Sequence, residues 1–580
     1  MDKHGDLDES LRLPLRPRTP RTHVLAIVAL GMLALVSTCD RLIHSALRHA
    51  PRRPPSHLDD VHPATAAVDR GIDWSYLSHD RQCPGLERVG VDEFGARRDR
   101  LATVLLGPDR AGWGAYVTEP SANTLYYLNL TQSDWYLSER PWLAVLTPSS
   151  AAPRKSHVSI LTPAFELSRS RRLPFAVDER DISWVTWQEH QDPYRILVDH
   201  LVDLRNQFDG RASSPGRTSS EPYSGRDAAF EEAESTTRSS SWSIEIEENV
   251  RQFVSSGIAT AVEEDRARAV ERTRFGDLGV VDVPRVGLAK LEVRELRMRK
   301  TDREVAIQKC VAKITLEALR AVRGHLRIGM TEKEGEALIV NALKAGGLTQ
   351  IGAIVLFGAN AALPHASAGS KRLERGEFAL FDVDGALFGY MSDFTRTMLP
   401  GKGTTCPFPN ERARKVYETV QLAQRAALAQ LVTPLRTRTD SSSSSGPSPS
   451  LEGGQEERSV VYAAQVDRAA REVIERAGWG DYFTHRLGHG IGLEVHEPPF
   501  LNSGNSKQVI RPGETFSNEP GIYIEDDGLA ELDDEDDEDG SGRGRSGGGI
   551  GVRLEDMVIK TDEGWGLVSG SDLARSPCDF

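Results

Sequence analysis

Five side chains in the last third of the chain are of the types that hold divalent metal ions: Asp382, Asp393, His489, Glu519 and Glu555. They stand in the segments Phe381-Asp382-Val383-Asp384-Gly385, Ser392-Asp393-Phe394-Thr395-Arg396-Thr397, Leu487-Gly488-His489-Gly490, Asn518-Glu519-Pro520-Gly521 and Arg553-Leu554-Glu555-Asp556. Four carboxylates carry about four negative charges, enough to balance two divalent cations and leave room for a bridging hydroxide, the nucleophile of two-metal hydrolysis. The set therefore predicts a metal-dependent hydrolase. Asp382 and Asp393 bracket an expected hairpin, Phe378 to Asp384 returning through Tyr390 to Met398 by way of Gly385 and Gly389. Two such strands can aim both carboxylates at one point, although aspartates near hairpins also serve as turn and surface residues. Asp384 reads either way, as turn residue or ligand. The run from His485 to Pro498 carries more weight, because His485, His489 and His496 fall among glycines that let backbone approach backbone or substrate closely.

Elements that could position these groups follow from periodicity and caps. A second domain, 286–580, begins near Val286, and Thr301-Asp302-Arg303-Glu304 and Thr331-Glu332-Lys333-Glu334 read as capping boxes that open helices. The first helix would carry Ile307, Val311, Ile314 and Ala318 to a core. A preceding domain, 89–285, opens with an expected helix from Val91 to Leu106. Strand-like runs follow at Gly114–Thr118, Leu125–Leu130 and Trp142–Leu146, an α/β pattern. Polar, low-complexity insertions interrupt both domains at 209–242, 436–458 and 526–549, and none has the apolar content to order itself.

The chain has 580 residues, enough for two or more domains with full cores. Its formal charge of −14 argues against general nucleic-acid binding, which needs a basic surface. Much of the excess is local, in Glu531 to Asp539. The five cysteines show no metal-ligand spacing, and their pairing cannot be read from spacing. A basic tail, 1–22, precedes the apolar run Val24–Cys39 within 23–39, read as a membrane anchor or signal. With arginines on both flanks and no A-x-A cleavage site after it, the run predicts an uncleaved single-pass tether in the secretory pathway. Secreted and cytoplasmic placements are the alternatives. Residues 40–88, rich in Pro and Arg, read as a stalk.

Taken together, the second domain resembles the pita-bread metallopeptidases, in the branch of Xaa-Pro aminopeptidases (aminopeptidase P), prolidases and creatinase. The first domain resembles the creatinase-like N-terminal domain of that branch, most tellingly over Tyr126 to Pro141. The fold this implies is an α/β N-terminal domain followed by an α+β pita-bread catalytic domain. The resemblance assigns Asp393 and Glu555 as bridging ligands, Asp382 to one metal site, and His489 with Glu519 to the other. It further implies that His365 and His496 contact the peptide and stabilise the intermediate or leaving amine. His485 would shape a proline-side pocket, Glu519 relay a proton, and Arg553 support the centre or orient substrate. Asp384 departs from the family, which usually has glycine there, and as an alternate strand residue it could share the face of Asp382. The implied activity is hydrolysis of an N-terminal Xaa-Pro bond in peptides with proline at the second position, by a homodimer. The donor set favours two Mn ions, with Zn or Co as alternatives. Prolidase, which cleaves only dipeptides, and a non-catalytic pita-bread binding protein are the rival readings.

Overall fold

The computed structural model describes residues 72–107, 112–210, 242–274, 283–401, 408–432, 460–525, 549–570, 573–574 and 576–579. Its first domain is built on a mixed sheet of six strands: β1 (Gly114–Thr118), β2 (Leu143–Pro148), β3 (Ser156–Pro163), β4 (Ile182–Trp187), β5 (Ser243–Ile246) and β6 (Arg285–Leu288), in the order β4-β3-β2-β1-β5-β6. β2 is antiparallel to β1 and β3, while the outer pairs are parallel. Helices cover both faces, so alternate residues of one strand enter different cores. Ala115 and Val117 pack with Leu197 and Ile258, whereas Tyr116 packs with Leu101 and Tyr126.

One expected strand is a helix. Leu125–Leu130 falls largely within the helix Ala122–Leu128, which a Ser121/Thr124 capping box opens and Asn129 ends with a left-handed φ of 60°. Six residues of apolar alternation do not separate strand from short helix; the cap decides.

The helix Leu291–Met298 joins the two domains. Both expected capping boxes form, at the starts of α1 (Asp302–Arg323) and α2 (Glu332–Ala345). Val311, Ile314 and Ala318 enter the core of the second domain, while Ile307 packs into the core shared with the first domain. Glu304 of the first box is buried in that joint, accepting from Tyr390 at 2.9 Å and lying 3.4 Å from Arg97 of the first domain. α1 and α2 back a sheet of β7 (Thr349–Phe357), β8 (Ala379–Leu387) and β9 (Tyr390–Met398). A second helix pair, α3 (Glu411–Gln430) and α4 (Ala463–Arg476), shares its core with a second group of strands. These are β10 (Gly488–Gly490), β11 (Glu497–Leu501), β12 (Thr515–Asn518), β13 (Gly521–Ile524), β14 (Ile550–Arg553), β15 (Asp556–Lys560) and β16 (Trp565–Leu567).

Residues 72–88, expected in the stalk, are part of this body. Trp74 and Leu77 are buried in the core of the second domain, and Cys83 forms a disulfide with Cys310 of α1. Cys578 is disulfide-bonded as well. The expected single-pass anchor, and the secretory placement drawn from it, need correction. Among the described residues no helix is long and apolar enough to cross a membrane, and Val24–Cys39 lies outside them. Outside them too are the basic tail, the stalk up to residue 71 and nearly all of the three insertions.

Candidate metal centre

β8 and β9 form a tight hairpin whose two-residue turn, Phe388-Gly389, has φ of 53° and 87°. Paired positive φ values match the twist of the strands they connect. The register sets Asp382 opposite Thr395 and Asp384 opposite Asp393. Because side chains alternate, Phe381 and Val383 go to the core against α1 and α2, and Asp382 and Asp384 to the opposite face. Asp393 is brought to the same place from β9 and is buried.

The second group of strands supplies the rest. His489 lies on β10, where a bulge after it shifts the pairing with β11. Its Nε2 is 3.1 Å from Glu519 Oε1 and 3.6 Å from Asp393 Oδ2. Glu519 follows directly on β12 before Pro520, and Ser517 Oγ donates to its Oε1 at 3.1 Å. Glu555 sits between β14 and β15, where Thr395 Oγ1 donates to its Oε2 at 2.8 Å. Three overlapping clusters have donor atoms within 4.8 Å of one another: Asp382, Asp393 and Glu555; His489, Glu519 and Glu555; and Asp393, His489 and His496. All five expected ligands thus converge, with Asp393 and Glu555 on the side of both Asp382 and His489.

The electrostatics ask for cations. Burial pushes Asp393 far above the usual carboxylate range, and the charges of Glu555, Asp382, Asp384 and Glu519 add to it. Glu555 is raised by burial and by Glu519 and Asp382. Glu519 goes the other way: against its burial, the His489 hydrogen bond and the charges of His489, His485 and Arg553 hold it down to about 2. Glu555 Oε1 is buried without a hydrogen-bond partner, an oxygen that a cation would satisfy. So many buried carboxylates in one place fit two divalent ions, whose charge would reverse the repulsion among them.

Asp384 shares the face of Asp382 but turns toward β7. It accepts the Gly352 backbone N–H, and a Cβ at Gly352 would lie 2.1 Å from its Oδ2. Burial, then the Asp382 charge, pushes it up to about 7. It joins none of the donor clusters among the described residues.

Around the centre, Arg553 ends β14 with all three guanidinium nitrogens engaged. It donates to Asp382 Oδ2 at 2.5 Å, Tyr523 OH at 2.7 Å, Thr395 Oγ1 at 3.1 Å and the Pro364 carbonyl at 3.4 Å. These contacts hold a ligand and the loop carrying His365, which fits the supporting role better than direct contact with substrate. His485 Nε2 is 2.9 Å from Tyr523 OH, with Nδ1 2.7 Å from the Arg486 carbonyl. His496 is exposed, its ring edge-on to His489 with centroids 4.2 Å apart. The half of its ring turned against the protein is desolvated, and this, then the charges of His489 and Arg486, lowers it to about 4. His365 is exposed too, while burial lowers His485.

Tyr523, Thr395 and the pair Arg396–Asp556 were not assigned roles from sequence. Arg396 donates to Asp556 at 2.6 Å and to the Glu555 carbonyl at 2.6 Å, both side chains being fully buried. Thr395 and Arg396 lie inside a motif already singled out, next to Asp393. Tyr523 gives no signal beyond standing two residues past Pro520-Gly521.

Residues 306–442 and 455–562 match the model of a family described as metallopeptidase family M24. An uncharacterised peptidase of Schizosaccharomyces pombe is 33% identical over 479 residues, covering 81% of this chain and 80% of its own length. An Xaa-Pro dipeptidase of Pyrococcus furiosus is 32% identical over 275 residues, 47% of this chain and 63% of its own. Among solved structures, the dipeptidase PepE of Mycobacterium ulcerans superposes with a TM-score of 0.56 at 24% identity, covering 84% of this chain and 98% of that one. An aminopeptidase P of Escherichia coli superposes with a TM-score of 0.54 at 16% identity, covering 85% and 97%. At these identities the superpositions show the fold: an α/β N-terminal domain followed by a pita-bread catalytic domain.

Proposed function

The chain belongs to metallopeptidase family M24, and from that premise we propose that it is a dinuclear aminopeptidase hydrolysing the bond between an N-terminal residue and a following proline. The observation that carries this reading is the convergence of Asp382, Asp393, His489, Glu519 and Glu555. The Xaa-Pro dipeptidase relative and the fold shared with aminopeptidase P support the choice of bond. Proline lacks an amide hydrogen and fixes φ, so general aminopeptidases handle that bond poorly and a dedicated site is needed.

The five donors would hold the two ions, with Asp393 and Glu555 placed to be shared. One imidazole among four carboxylates favours Mn, with Zn or Co as alternatives. Divalent ions in such a site supply Lewis acidity and a nucleophile available at neutral pH. Within the protein, Glu519 Oε1 is engaged by Ser517 and His489. Glu519 also takes a proton from the attacking water and passes it toward the proline nitrogen. His365 and His496, both exposed at the rim, bind the peptide and steady charge as it develops on the reacting carbonyl. His485, fixed by Tyr523, lines the proline side.

The rival is a prolidase. Purified protein loaded with Mn and given Ala-Pro, Ala-Pro-Ala and longer peptides decides between them. The proposal expects release of the first residue from every length and slow turnover when alanine replaces proline. Cleavage of the dipeptide alone would make it a prolidase, and no hydrolysis of any Xaa-Pro peptide would refute both.

A further inference from the structure

The loop that carries His496 is held from behind by buried charges belonging to the connection between the domains. Glu497 opens β11 and pairs with Gly490 across the bulge beside His489. Its carboxylate lies under the loop in space that only glycine leaves open, since a Cβ at Gly492 would fall 2.4 Å from Glu497 Oε1. At Gly490 a Cβ would fall 2.2 Å from the Pro498 carbonyl oxygen. Lys300, between the linking helix and α1, donates to Glu497 Oε1 at 2.6 Å, and both side chains are only 1% exposed. The ammonium also donates to the Met298 carbonyl at 3.0 Å, and the Lys300 backbone N–H donates to the Gly513 carbonyl at 2.9 Å. Arg297 of the linking helix bonds Glu494 and lies 3.5 Å from Glu497 Oε2. Asn249 of the first domain reaches Glu494 from the other side at 3.5 Å.

A buried ion pair is a weak source of net stability, because desolvation offsets most of the attraction. Its geometric demand is strong, since neither charge tolerates loss of its partner. We propose that Lys300 and Glu497 are positioning residues that fix the Gly490–Glu497 loop and, through it, the place of His496 beside His489. The inference rests on the reading of His496 as a group that acts on substrate. It extends that reading to the interdomain connection: the domain joint sets the geometry of the substrate-side histidine, while four of the five metal ligands are carried elsewhere, on β8, on β9, after β12 and between β14 and β15, and His489 on β10 alone adjoins the loop.

The test is a cycle in two backgrounds. Lys300→Met with Glu497→Gln removes both charges together, so neither is left buried alone. It is measured for bound Mn, melting temperature and kcat in the wild type and in His496→Ala. A misplacement of about 1 Å at a reacting group costs about 10²-fold. The expected result is that the pair variant binds both ions and loses about that factor in kcat, with little further loss when His496 is already alanine. Wild-type kcat in the pair variant, loss of its metal, or equal losses in both backgrounds would overturn the proposal. Should the pair variant fail to fold, Lys300→Arg, which keeps the charges but displaces them, must show the same dependence on His496. Undiminished turnover in His496→Ala would instead sink the role given to that histidine, and the positioning claim with it. A crippled His496→Ala beside an unaffected pair variant would sink the positioning claim alone.

Discussion

Replacing Arg553 with lysine separates metal binding from the alignment of the centre. The guanidinium has four partners on three sides: Asp382, Tyr523, Thr395 and the Pro364 carbonyl. A single ammonium can keep the charge opposite Asp382 but not the planar fork. At least two further hydrogen bonds are lost, each contributing about 0.5–1.5 kcal/mol net. Tyr523 and Thr395 are not orphaned, because His485 and Glu555 still engage them, so no added penalty arises for a buried unpaired group. The expected cost is about 2 kcal/mol, or about 30-fold in kcat/KM if all of it appears in the transition state. Since the five donors remain, metal content should not change. The assay is steady-state hydrolysis of an Xaa-Pro peptide alongside metal analysis of the same preparation. Wild-type turnover would refute the supporting role, and loss of an ion would show that Arg553 holds Asp382 for the metal rather than for alignment.

Two further outcomes test the scaffold. Cys83→Ala with Cys310→Ala opens a covalent loop spanning a sequence separation of 227 residues. Chain entropy puts the loss at up to about 5 kcal/mol, to be read as a fall in melting temperature of roughly 5 °C; an unchanged melting temperature would show that residues 72–88 are not locked to α1. In the first domain, His200 lies 2.9 Å from Ser159 and is lowered to about 4 by burial and then the His157 charge. A depressed histidine stays neutral when folded. Its contribution is therefore intact above about 6.5, the unfolded value, and is lost as pH falls toward 4. His200→Gln should remove up to about 3 kcal/mol of that acid sensitivity in denaturant titrations, and an unchanged pH dependence would count against the burial argument.

The convergence of Asp382, Asp393, His489 and Glu519 was legible in part, because their neighbours imply a hairpin, a glycine-rich approach and a turn, whereas Glu555 stands in a plain strand-like run and entered only through the family resemblance. The capping boxes at Thr301 and Thr331 were legible for the same local reason. What escaped was set by distant partners. Trp74 and Leu77 look like stalk residues until α1 and α2 bury them, and the Cys83–Cys310 pairing follows from that packing rather than from spacing. Tyr523 reads as one more apolar strand residue, and gains a role only when β14 pairs with β13 and sets Arg553 beside it. Lys300 likewise reads as a surface lysine before a helix cap until β11 brings Glu497 to it.

The proposed function requires that Asp382, Asp393, His489, Glu519 and Glu555 together hold two divalent ions. Titrating metal-free protein with Mn by calorimetry, in the wild type and in Asp393→Asn, tests it most directly. Two ions per wild-type chain are expected, and fewer in Asp393→Asn, with hydrolysis lost while the fold is largely kept. A wild type that binds one ion or none, or an Asp393→Asn variant that keeps two ions and near-normal turnover, would contradict it.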